Sequence, residues 1–156
     1  MSRVKTRTSR KPAQQPITPL IGSLLRLPHE VVMARMLATL NGSGFDLTAT
    51  ELGFFLYPGP DGRRPIDLAR QCNMTRQAMN YVLAGLEGRG YIKRNAGTSA
   101  AARIVRLTDR GWEIVAEIRG CVAAVEQEWA SHLGAKRFKV LRETLRDLAV
   151  WLGKLT

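Results

Sequence analysis

The stretch "PIDLARQCNMTRQAMNYVLAGLEGRGYIKR", residues 65–94, decides the fold. Pro65 suits the first turn of a helix, where a missing N–H costs nothing, and "IDLARQC" supplies that helix. "NM" is then a tight connection to Thr75, a residue that starts helices by capping them. Over 76–88 the apolar residues Met79, Val82, Leu83 and Leu86 fall on one side of a helix with about 3.6 residues per turn. Arg76, Gln77, Asn80 and Tyr81 lie off that stripe, with no acid to balance the arginine. Two short helices joined by a turn of three to four residues form the helix-turn-helix pattern.

The residues after Gly90 extend this pattern into a larger unit. "GYIKR" and "ARIVRL" flank the small-residue run "NAGTSAA" and read as a β-hairpin with a loose tip. A helix-turn-helix with such a hairpin immediately after it is a winged helix. Upstream, "LTATELGFFLY" opens with a capping box from Thr48 to Glu51, and "PGPDGRRP" is turn chemistry throughout. The expected fold is therefore mainly α with a small β-hairpin wing, the winged helix spanning about 46–108.

The flanks are helical. "LIGSLLRLPHEVVMARMLATL" has apolar residues at helical spacing, interrupted by Pro28, which predicts two short helices or one kinked helix. "NGSG" at 41–44 stops it. Val115, Ile118, Val122, Val125 and Trp129 form one heptad-like stripe. Phe138, Leu141, Leu145, Leu148, Leu152 and Leu155 form another. Ile114, Cys121, Val140, Val150 and Trp151 add apolar surface off the stripes, more than a lone helical hairpin covers. A homodimer built from helices at about 19–41 and 108–156 is expected. Residues 1–18 carry bases, prolines and almost no apolar side chains, and read as a disordered basic arm preceding a single domain over 19–156.

Charge points to the partner. The 156 residues carry a net charge of +11 with a pI near 10.6, a field that attracts polyanions. Residues 1–15 contribute +5 and residues 63–110 contribute +7, so the excess sits in the arm and the central block. The major groove of DNA admits a helix and shows acceptors on guanine and a donor–acceptor pair on adenine. Arginine matches the first, asparagine and glutamine the second. Arg76, Gln77, Asn80 and Tyr81 are therefore the candidate base readers, near the N-terminal end that reaches bases in helix-turn-helix proteins. Thr75, Arg63, Arg64, Arg94, Arg103 and Arg106 are the candidate backbone and wing contacts.

Other classes find less support. His29 and His132 have no metal-ligand spacing, no glycine-rich phosphate loop is present, and no nucleophile–base grouping stands out, so no enzyme, cofactor or metal is expected. No run of about 18 apolar residues suits a membrane span. Two cysteines fit a reducing compartment, and Cys72 and Cys121 read as small hydrophobes. A cytoplasmic location is expected, although an Arg- and Ser/Thr-rich N-terminus is also a feature of transit peptides. A winged helix used as a protein-interaction module, or a non-specific nucleic-acid binder, remains the alternative reading.

The order of parts resembles the MarR family of winged-helix transcriptional regulators over roughly residues 20–155. The similarity rests on "LTATELGFFL", on 65–94 and on "RIVRLTDRGWEI". Its more specific marks are the run L-E-x-x-G-[YL]-[IV]-x-R at 86–94 and LT-x-x-G at 107–111. The resemblance implies a homodimer with interlocked terminal helices, a recognition helix at about 75–88 and a wing at about 91–107. It further implies a regulator, often a repressor, released by a small-molecule effector held between the dimerisation and DNA-binding regions. Met36, Phe54, Phe55 or Trp112 are conceivable lining for such a site, but core is the favoured role for them. Two departures stand out. The wing has Ser99, Ala100 and Ala101 where relatives carry an Asp-x-Arg-like group, and Tyr81 stands where many carry arginine. Arg3, Arg7 and Arg10 of the arm are expected to supply part of the missing minor-groove contact. Unchanged DNA affinity after deletion of residues 1–15 would reject that expectation.

Overall fold

The computed structural model describes residues 18–56, 59–95 and 103–154. The basic arm up to residue 17 and the wing tip with Ser99, Ala100 and Ala101 lie outside the described residues, as do Leu155 and Thr156. Six helices and one hairpin are described: α1 Ile21–Gly42, α2 Ala49–Phe55, α3 Pro65–Gln71, α4 Arg76–Gly88, β1 Ile92–Arg94, β2 Val105–Leu107, α5 Asp109–Leu133 and α6 Ala135–Trp151.

The local signals act as the sequence implied at several boundaries. The Thr48 side chain accepts the Glu51 N–H and the Glu51 carboxylate accepts the Thr48 N–H at 2.9 Å, a complete capping box. Pro65 occupies the first turn of α3, and Thr75 Oγ1 accepts the Ala78 N–H at 3.1 Å to start α4. Gly90, at φ +75°, ends α4 in the left-handed conformation that glycine adopts without steric cost. There the Tyr91 N–H reaches the Leu86 carbonyl at 3.0 Å.

Three features differ from the reading of the sequence alone. Pro28 lies inside α1, which runs unbroken from Ile21 to Gly42. A proline two turns in removes one hydrogen bond, and the helical register of the apolar residues on both sides is kept. The second difference is in α5, where the inward face is Ile114, Ile118, Cys121 and Val125. Val115, Val122 and Trp129 are only half-buried. The core face thus combines Ile118 and Val125 of the expected stripe with Ile114 and Cys121 from off it, because α1 packs there: Thr39 Oγ1 contacts Cys121 Sγ at 3.6 Å and Arg35 pairs with Glu128 at 2.6 Å. The third is a strand edge in the turn-rich segment before α3. Arg63 forms an antiparallel bridge with Val105, and the Gly62 N–H donates to the Val105 carbonyl at 2.8 Å. A single bridge carries no periodicity, so proline and glycine chemistry masked it.

One core joins these parts. Leu40, Leu52, Leu68, Leu83, Leu86 and Ile114 are fully buried. They tie α1, α2, α3, α4 and α5 together, with Ile92 and Val105 of the hairpin packed among them. In contrast, α6 buries no residue completely. Leu141, Leu145, Leu148, Leu152 and Trp151 are exposed on it, as are Leu20, Ile21, Leu24 and Leu27 at the start of α1.

Candidate nucleic-acid interface

The hydrophobic stripe orients α4. Met79, Val82, Leu83 and Leu86 are buried against α3 and the hairpin root. A helix that buries one side in this way turns the opposite side outward. Arg76, Gln77, Asn80 and Tyr81 are accordingly all exposed, Tyr81 at 84%. The turn leading into α4 is tight: Cys72 caps α3, Asn73 takes φ +52°, and the Met74 N–H donates to the Ala69 carbonyl at 2.8 Å. Asparagine is among the few side chains that tolerate this left-handed conformation.

The surrounding cations fall into two groups. Arg64 pairs with Asp67 at 2.7 Å, Arg94 with Glu87, and Arg106 with Asp61 at 3.3 Å. The Arg64 hydrogen bond holds the Asp67 carboxyl below its ordinary pKa. Hydrogen bonds from Arg94 do the same for Glu87 and outweigh its partial burial. The Arg94 side chain is only 22% exposed, and its N–H also donates to Glu87 at 3.0 Å, so it staples the root of the hairpin to α4. By contrast Arg63, Arg70, Arg76, Lys93 and Arg103 are exposed and carry no ion pair among the described residues. Arg63 borders the hairpin edge, Arg76 opens α4 and Lys93 lies on β1. Sequence reasoning named Arg94 and Arg106 alongside Arg63 and Arg103. It had no signal for the Arg106 partner, since Asp61 and Arg106 are 45 residues apart, whereas Arg64 and Asp67 are three apart.

A cleft of about 520 Å³ opens beside α5, between that helix and Phe55, Leu56 and Gly59, Pro60 and Asp61. Phe55, Trp112, Ile118 and Val122 give it an apolar wall, and Arg119 and Arg142 lie at its rim. Met36 and Phe54 are 2% and 1% exposed and belong to the core. Phe55 is also core, at 5% exposed, and lines the cleft from there; Trp112, 48% exposed, is the one of the four that is not core. Burial raises the pKa of the Cys72 thiol, which keeps it protonated and unreactive near neutral pH. Among the described residues no helix is long and apolar enough to cross a membrane.

A helix-turn-helix, a two-stranded wing and long flanking helices define a winged-helix protein. No protein-family model matches the sequence, and neither does any curated protein. Solved structures do resemble it. A MarR family protein of Mycobacterium tuberculosis, in complex with p-aminosalicylic acid, is 29% identical, with a TM-score of 0.62 over 84% of this chain and 99% of that one. The transcriptional repressor CouR, bound to a 23-mer DNA duplex, is 26% identical, with a TM-score of 0.61 over 83% of this chain and 92% of that one. MepR, a transcription regulator of a Staphylococcus aureus multidrug efflux pump, shares the fold at 20% identity, with a TM-score of 0.60 over 85% and 98%. The chain shares the winged-helix fold of these MarR-type transcriptional regulators.

Proposed function

We propose that the protein is a homodimeric, sequence-specific DNA-binding transcriptional repressor whose release is governed by a small aromatic acid. The observation that carries this reading is the row of exposed Arg76, Gln77, Asn80 and Tyr81 on α4, flanked by the exposed cations Arg63, Arg70, Lys93 and Arg103, which have no ion pair among the described residues. Two such helices would enter successive major grooves about 34 Å apart on an inverted repeat. Arg63 and Arg103 would hold the phosphates, with Thr75 at the N-terminus of α4 as a further backbone contact. Arg64, Arg94 and Arg106 would shape this surface through Asp67, Glu87 and Asp61, and of these Arg64 and Arg106 are exposed enough to exchange partners with phosphate.

The dimer is supported by the apolar side chains that the single chain leaves uncovered on α6 and the start of α1. Leu145→Glu tests it. Leu145 is 41% exposed in the single chain, so a charge there leaves the monomer fold intact. The expected result is unchanged helical content by circular dichroism and a monomer by analytical ultracentrifugation. A stable dimer in that variant would remove this surface from the interface.

The cleft supports the effector. Phe55, Trp112, Ile118 and Val122 line it, its carboxylates Asp61 and Glu126 are paired with Arg106 and Arg142, and Arg119 has no ion pair among the described residues. The Mycobacterium tuberculosis relative was crystallised with salicylic acid and with p-aminosalicylic acid. The decisive experiment selects bound sequences from a random DNA pool, then titrates the winner and a shuffled control at several salt concentrations, with and without salicylate. A preferred sequence that salicylate releases is expected. Equal affinity for shuffled DNA would favour a non-specific binder, and weak binding with no salt dependence would favour a protein-interaction module.

A further inference from the structure

Arg89 lies just past the last turn of α4 and is not on the face that carries the four polar side chains. Its guanidinium is engaged on several sides. Nε donates to the Gly85 carbonyl at 3.1 Å. Nη1 donates to the Asp46 carbonyl in the loop before α2, and Nη2 donates to Oε1 of Glu51 within α2. The same group lies over the Tyr91 ring, 5.5 Å from its centroid. Arg110 of α5 lies 5.2 Å from that centroid and donates to the Arg89 carbonyl at 3.3 Å. One side chain thus links the end of α4 to α2, to the loop before it and to the start of the hairpin.

Glu51 is fully committed in turn. Its Oε2 accepts the Thr48 N–H in the capping box and its Oε1 accepts Arg89. Burial pushes its pKa up, but the hydrogen bonds from Thr48 and Arg89 outweigh burial and hold the carboxyl ionised. Its side chain is 12% exposed and that of Arg89 31%. These are the two members of an ion pair with fixed direction, unlike the apolar contacts along α4, which constrain spacing more than angle.

Building on the DNA-recognition reading, we propose that Arg89 is a positioning residue: its clamp on Glu51 and the Asp46 carbonyl sets the angle at which α4 presents Arg76, Gln77 and Asn80. The geometry gives it leverage. The 13 residues of α4 span about 20 Å, with Arg89 beyond one end and Arg76 at the other. A tilt of about 5° at the clamped end moves the far end by about 1.7 Å over that length, more than a hydrogen bond of about 2.9 Å tolerates.

The test exploits a conflict of sign. Glu51→Gln adds one positive charge, so simple attraction to DNA predicts tighter binding. Thr48 and Arg89 use different oxygens of Glu51, and a glutamine turns one of those two positions into an NH2 donor, so positioning predicts weaker recognition. The full chain and its Glu51→Gln, Arg89→Gln and Arg89→Lys variants are titrated with the selected DNA and its shuffled control. Glu51→Gln and Arg89→Gln are expected to lose about tenfold or more of the preference for the selected sequence, the effect of one mismatched base pair. Affinity for shuffled DNA and the salt slope should stay as in the parent chain. Arg89→Lys keeps the cation and one of the acceptors, and should retain the fold with an intermediate preference. The double variant should lose no more preference than either single one, because both break the same clamp. An undiminished preference in Glu51→Gln and Arg89→Lys overturns the inference. So does a salt slope lowered by about one unit in Arg89→Gln, which would make Arg89 a phosphate contact. A parent chain with no preference overturns the recognition reading itself, and this inference with it.

Discussion

Arg76→Ala is expected to weaken binding to the selected operator by about 1–3 kcal/mol per half-site, and by about twice that for a dimer engaging both halves. For the dimer this is a loss of affinity from about thirtyfold to more than ten-thousandfold. The reason is geometric. Arg76 is the first residue of α4, exposed and without an ion pair, so no carboxylate among the described residues competes for its planar donor fork. Guanine presents two acceptors to such a fork. Removal of the side chain leaves those acceptors without protein partners and relaxes the preference for guanine at one position in each half-site. Asn80→Ala, one helical turn later, should act in the same way at an adenine. Selection of bound sequences from a random pool with each variant checks both, because loss of preference is confined to one position if the assignment holds. A uniform fall in affinity across all sequences would make Arg76 a phosphate contact.

Gly111→Ala should be strongly destabilising. A methyl group at residue 111 would sit 2.2 Å from the Tyr91 carbonyl oxygen and 2.9 Å from Leu107 Cδ2. The closer neighbour is backbone, which yields only if the chain itself moves. The Tyr91 carbonyl already accepts the Thr108 N–H at 3.2 Å, and Leu107 is locked in the hairpin opposite Ile92. Thr108 further ties this corner together: its hydroxyl donates to the Gly90 carbonyl at 2.6 Å and accepts the Gly111 N–H at 3.2 Å. Relief of the clash requires the start of α5 to move off the hairpin root. We expect a loss of about 3 kcal/mol or more, at the upper end for overpacking. For a chain of this length that lowers the midpoint of thermal unfolding by about 6–12 °C. Calorimetry on the full chain measures it, and a shift under about 2 °C would mean that α5 accommodates the methyl group freely.

That corner explains why two separated motifs occur together. L-E-x-x-G-[YL]-[IV]-x-R and LT-x-x-G touch in space: Glu87 pairs with Arg94, Gly90 receives the Thr108 hydroxyl, and Gly111 fits beneath the Tyr91 carbonyl. Residue spacing reveals such a motif but not the contact that requires it. The same holds for the cations. Arg63, Arg94, Arg103 and Arg106 look alike in a sequence, yet Arg94 is absorbed by Glu87 and Arg106 by Asp61.

The sequence by itself determined whatever depends on near neighbours along the chain. The Thr48–Glu51 capping box, the Pro65 and Thr75 helix starts, the stop at Gly90 and the outward row from Arg76 to Tyr81 arise from hydrogen bonds and periodicity within a few residues. Only the tertiary structure decided which apolar face of α5 points inward, that Arg63 bridges to Val105, that Phe55 and Trp112 border a cleft, and that Arg89 clamps Glu51. Each of those depends on groups tens of residues apart, whose meeting is fixed by how the helices pack and not by any local pattern.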